Sequence, residues 1–148
     1  MKEKQYSIAL NKIVTYLETR GYTVKLNSNS FGYYEETQTI TAPTKAEGTI
    51  GLIIGLLHEA GHAEQSSSSF TNMRKSAKRD KAIVTEQEYT AWFHGWAIAE
   101  ELNIVTEELY KEYRKSWLLY WTQYIERLYK DDDRHLLARI IEAYKPEE

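Results

Sequence analysis

The segment GLLHEAGHAEQ, residues 55–65, sets His58 and His62 four positions apart, with Glu59 directly after the first. On a helix, residues i and i+4 lie one turn apart on a single face, so two imidazoles can converge on one ion. Zn2+ accepts neutral imidazole nitrogens and prefers four ligands in a tetrahedron. A catalytic site uses three protein ligands and leaves the fourth place to water, whose pKa then falls towards ~7. Glu59 is rotated about 100° around the axis from His58. It therefore stands beside such an ion rather than on it, where a carboxylate can take the water's proton and pass it to a leaving amine. His-Glu-x-x-His is the sequence pattern of this arrangement. A helix whose histidines make ordinary hydrogen bonds would read the same way, so a third ligand decides between the two.

The chain has no cysteine, so a third ligand must be His, Asp or Glu. Residues 82–102 read as a helix. At about 100° per residue, Val84, Ala91, Trp92, Gly95, Ala99 and Leu102 form its apolar stripe, with Glu88 in the middle. A carboxylate on a buried face costs several kcal/mol, of order 3–5, unless it is paired or bound to a cation. Zinc would satisfy it, and so would a Lys or Arg partner. Glu86 falls on the opposite side and is the second choice; His94 lies off the stripe. The expected ligands are thus His58, His62 and Glu88, with Glu59 as general base.

His58-Glu59-Ala60-Gly61-His62-Ala63, followed by Glu86-Gln87-Glu88-Tyr89-Thr90-Ala91-Trp92-Phe93, resembles the gluzincin-type metallopeptidases. The closest likeness is to the small ImmA/IrrE-like proteins of bacteria and their phages. The resemblance covers roughly residues 20 to 103. This chain departs from it at Tyr89, where a small residue is usual, and at Trp92-Phe93, where Phe-Ala is usual. The resemblance implies zinc on His58, His62 and Glu88, Glu59 as base, and an α+β zincin-like core with a small sheet before the active-site helix.

The elements that must position these residues follow from local pattern. Tyr6, Ala9, Leu10, Ile13, Tyr16 and Leu17 recur at helical spacing, which predicts a helix over 4–19 stopped at Gly21. Residues 22–26 alternate and read as a strand, Asn27–Ser30 and Gly32 as turn, and 37–41 as a β-branched second strand ended by Pro43. Together they suggest a small antiparallel hairpin or meander. Thr44-Lys45-Ala46-Glu47 has the form of a capping box opening a helix that runs to about Glu64. Three glycines, Gly51, Gly55 and Gly61, lie near its histidine face and could admit a substrate or another backbone. After an irregular stretch and the 82–102 helix, Asn103 is a stop and Thr106 a cap for a long helix to about Lys130. Asp131–Asp133 suit the start of a last helix to about Tyr144. The expectation is one α+β domain over residues 1–148, mostly helical, with a small N-terminal antiparallel sheet packed on the active-site helix and a helical last third.

At 148 residues, with four Trp and twelve Tyr, the chain can bury a core without disulfides. No signal peptide is evident, and the apolar run Ile50–Leu57 is too short to span a bilayer, so a cytoplasmic protein is expected. A net charge of −3 gives no global reason to expect nucleic acid. The expected partner is a protein or peptide substrate, with no membrane. An oxyanion donor could come from His94, His135, Tyr33 or Tyr34, and the strand at 37–41 could be the sheet edge that takes a peptide. The basic cluster Arg74–Lys81 reads first as a solvated face, and the intervening segment as a conceivable lid. The stripe Leu109, Tyr113, Trp117, Tyr120, Trp121, Tyr124 and Leu128 reads first as core, and second as a partner surface. Two function classes follow: a zinc endopeptidase acting on a specific protein, or a zincin-like binding module without catalysis.

Overall fold

The computed structural model describes residues 2–43, 48–66, 81–131 and 134–143. Among them are five helices and a three-stranded sheet. Their order is α1 (Lys2–Thr19), β1 (Thr23–Ser28), β2 (Gly32–Tyr34), β3 (Thr39–Pro43), α2 (Gly48–Ser66), α3 (Lys81–Glu101), α4 (Glu107–Leu128) and α5 (Arg134–Ala143). The architecture is α+β. No described helix is long and apolar enough to cross a membrane. The expected capping box at Thr44–Glu47, the serines 67–69, the basic residues Arg74 to Arg79, Asp132, Asp133 and Tyr144 lie outside the described residues.

Helix ends fall where local chemistry puts them. Gly21 takes a φ of 91°, Gly21 N–H donates to the Glu18 carbonyl, and Tyr22 N–H reaches back to Leu17. This is a Schellman closure, which needs a left-handed residue after the last turn. Asn103 closes α3 in the same way with φ 56°, its N–H on Glu100 and the Ile104 N–H on Ala99. The Thr106 hydroxyl accepts from Leu109 N–H at 3.0 Å and so caps α4.

The sheet departs from the antiparallel expectation. Its order is β1–β3–β2; β1 pairs with β3 in parallel, and only β2 and β3 are antiparallel. Asn27 and Ser28, read from the sequence as turn, end β1 instead, and the bend is confined to Asn29 and Ser30. It leads not back onto β1 but into β2, whose first residue Gly32 was read as turn. The hairpin then closes through Glu35–Gln38, where Gln38 adopts φ 49° and donates to the Glu35 carbonyl at 3.2 Å. Thr37 and Gln38 thus belong to the turn, and the strand runs from Thr39. A second correction follows. β3 is the central strand, flanked on both sides, so it offers no free edge for a peptide.

Helix α2 is the hub. Ile53, Ile54, Leu56, Leu57, Ala60 and Ala63 are buried around most of its circumference, as a helix enclosed on several sides requires. It packs against α1, the sheet, α3 and α4. Ile13 and Leu17 from α1, and Ile40 and Ala42 from β3, complete the core on one side. On the other, α4 buries Leu109, Tyr113, Trp117, Trp121 and Ile125. Each of these aliphatic side chains contributes roughly 1.5–3 kcal/mol on burial.

The buried phenols give the fold a pH dependence. The Tyr6 hydroxyl donates to Glu108 Oε2 at 2.6 Å, and burial together with that carboxylate pushes the phenol up to about 12. Burial alone raises Tyr113, whose hydroxyl donates to the Trp92 carbonyl at 2.5 Å. Both hold their protons more tightly folded than unfolded. Their stabilisation is therefore complete below the unfolded value of about 10 and falls away as pH rises through the folded values. We expect the thermal midpoint to drop between pH ~10 and ~12, with less drop in Tyr6→Phe than in the parent. Equal losses in the two proteins would show that Tyr6 is not a source.

Candidate metal centre

The two histidines and the distant carboxylate meet across the α2–α3 interface. His58 Nε2 lies 3.0 Å from Glu88 Oε1, and His62 Nε2 lies 3.5 Å from Glu88 Oε2. One ligand-type atom from each of the three residues falls within 4.8 Å of the others. Bond lengths of about 2.0–2.2 Å in a tetrahedral zinc site put ligand atoms roughly 3.3 Å apart. The two nitrogen–oxygen separations, which run to different oxygens of Glu88, lie near that edge, and the donor set of two imidazoles and one carboxylate is one that zinc accepts. The residues therefore fit the ion.

What brings them together is a pair of glycines. A Cβ on Gly61 would overlap the Ala91 carbonyl oxygen and stand 3.0 Å from the Gly95 nitrogen; one on Gly95 would overlap the Leu57 carbonyl. The two helices cross backbone against backbone, at Gly61 of the motif itself. Gly55 serves differently: the Phe31 ring occupies the space where its side chain would be. Gln65, one turn beyond His62, is buried and donates to the Gln87 carbonyl at 2.8 Å and to the Thr90 hydroxyl.

Electrostatics favour a charged third ligand. Burial raises the Glu88 carboxyl, but hydrogen bonds from His58 and His62 outweigh it and hold the group well below the usual carboxylate range. Among the described residues no Lys or Arg pairs with Glu88, which excludes there the cationic clasp that a structural role would use. Glu86, the second choice, is exposed. Ligating histidines usually donate the second ring nitrogen to a carboxylate or carbonyl. His58 Nδ1 is buried without a described partner, and its ring is held instead by the Trp92 indole, stacked at 4.1 Å and 23°.

Glu59 is only 9% exposed, and among the described residues no hydrogen-bond or ion-pair partner meets its carboxylate. A carboxylate that makes no bond of its own, directly after a metal-type ligand, is available for proton transfer.

The expected oxyanion donors are dispersed. Tyr34 is 53% exposed on β2, Tyr33 stands edge-on to Tyr22 at 6.0 Å, His94 contacts Phe93, and His135 is exposed on α5. Sequence reasoning assigned Tyr124 to the core stripe. It is half-buried, and burial followed by the Glu88 charge raises its phenol. An unbroken aromatic run on α4 gave no sign of which ring would reach the carboxylate.

Comparison with family models, with curated proteins and with solved structures gives no match for this chain.

Proposed function

We propose that this protein is a zinc-dependent peptidase with a zincin-like centre, in which His58, His62 and Glu88 hold the ion and Glu59 is the general base. The observation that carries the reading is the convergence of the three ligand-type side chains across two helices, with the buried, unpartnered Glu59 beside them. Bound zinc supplies a Lewis acid that acidifies a coordinated water and polarises a substrate carbonyl. Glu59 accepts the water's proton and returns it to the leaving amide nitrogen. Glu88 contributes negative charge to the ligand set, and Trp92 fixes the plane of His58.

The test is hydrolysis of a proteome-derived peptide library by the zinc-loaded protein, followed by mass spectrometry. Cleavage is expected to stop with a chelator and to return with zinc. Glu88→Ala should lose zinc and cleavage together, while Glu86→Ala keeps both. Zinc retained by Glu88→Ala defeats the ligand assignment. Full zinc occupancy with no peptide cut defeats the peptidase. It would leave the alternative of a silent zincin-fold binding module, for which the exposed Leu119 and Tyr120 on α4 offer a contact surface.

A further inference from the structure

The aromatic helix α4 contributes to the metal centre as well as to the core, and the packing of α4 against α3 identifies the residue. The two helices run antiparallel with overlapping ring contacts, Tyr113 meeting both Trp96 at 5.1 Å and Trp92 at 5.4 Å. Trp96 meets Tyr110 at 5.7 Å, Trp92 meets Tyr120 at 6.4 Å with rings 3° from parallel, and Tyr89 meets Trp117 and Trp121 at 5.3 and 6.2 Å. At the end of the interface, the Thr85 hydroxyl bonds the Tyr129 hydroxyl at 3.1 Å. From Trp96 to Thr85 on α3, the partners on α4 run overall from Tyr110 to Tyr129. Glu88 lies one helical turn before Trp92 on the same face, and Tyr124 lies one turn after Tyr120. Stepping one turn along the Trp92–Tyr120 pair therefore places Tyr124 opposite Glu88. The face is the one that carries the ligands, because Trp92 also stacks on His58.

We infer that the Tyr124 hydroxyl borders the open side of the metal centre and donates a hydrogen bond to the oxygen of a bound substrate carbonyl as negative charge develops there. The inference rests on the peptidase reading. Donors of this kind act in preorganised, partly desolvated sites, and Tyr124 is half-buried. Among the described residues no hydrogen bond ties its hydroxyl to Glu88, so the proton is available to a ligand. No covalent step at Tyr124 is involved.

The experiment loads parent, Tyr124→Phe and Tyr120→Phe proteins with Co2+ and titrates each with acetohydroxamate, whose carbonyl oxygen carries partial negative charge when it chelates the ion. Tyr120, 51% exposed and one turn away, is the control. We expect all three to bind Co2+ equally. Hydroxamate should bind Tyr124→Phe ~10-fold or more weakly, as the loss of a hydrogen bond to a charged acceptor predicts, and Tyr120→Phe like the parent. Equal hydroxamate affinity in Tyr124→Phe and parent overturns the assignment while leaving the metal centre intact. Weaker Co2+ binding by Tyr124→Phe also overturns it, because the residue would then support the ligands. A parent that takes up no Co2+ overturns the metal reading itself, and this inference with it.

Discussion

Glu59→Gln is expected to keep one zinc per chain, to cleave the library-selected peptide ~10²–10⁴-fold more slowly, and to melt at a higher temperature than the parent. The first two effects follow from chemistry. A carboxamide of the same size cannot accept the proton that a general base must take, and Glu59 is not among the three ligands. The third follows from a side chain that makes no bond within the fold. Glu59 has no partner among the described residues, and replacing a group kept for function rather than for folding commonly raises stability. One kcal/mol shifts the midpoint of a domain this size by roughly 2–4 °C. The combination separates the two roles: a purely structural Glu59 would lose stability and activity together on replacement. A variant that cleaves as fast as the parent removes Glu59 from the chemistry.

Gly61→Ala is expected to lower stability by about 1–3 kcal/mol and to weaken zinc binding at least ~10-fold. The added methyl meets backbone, not a side chain that could rotate away: the Ala91 carbonyl oxygen overlaps it, the Ala91 carbon stands 2.8 Å off and the Gly95 nitrogen 3.0 Å. Alanine's helix propensity returns roughly 1 kcal/mol, which the separation of α2 from α3 more than offsets. Glu88 is carried on the helix that must move, and metal ligands tolerate only about 0.5 Å of displacement. Gly55→Ala is the matched comparison. There the obstacle is the Phe31 ring, which can shift, and the ligands lie elsewhere, so zinc affinity should hold. Thermal unfolding with and without zinc reads both effects. A Gly61→Ala protein that melts and binds zinc like the parent would refute the crossing as the positioning device.

Features set by local chemistry were legible in the sequence. Gly21, Asn103 and Thr106 end or begin helices through bonds to backbone groups no more than five residues away, so their signals are short-range. The wheel of α3 separated Glu88 from Glu86 because burial of one face is periodic. Longer-range relations were less accessible. The choice between parallel and antiparallel pairing of β1 and β3 depends on the three residues of β2, too short to register as a strand. Gly61 was one of three glycines, with Gly51 and Gly55, read as places of close approach beside the histidines. Its counterpart Gly95 was counted only as part of an apolar stripe, since nothing in one helix announces which backbone will lie across it. Tyr124 was indistinguishable from its neighbours for the same reason: the register between α3 and α4 is a property of the pair.

The bonds from Gln65 to Gln87 and Thr90 have a consequence for how this molecule could diversify. Backbone crossing at glycines leaves little to prevent one rod from sliding along the other, and a slide of one turn, about 5.4 Å, would set another residue before the histidines. The buried amide pins that vernier. The His58, His62 and Glu88 side chains, the glycine notch and the pin all belong to two helices, forming a self-contained cassette. Changes in α1, the sheet or the outer face of α4 can then reshape what approaches the centre without detuning it.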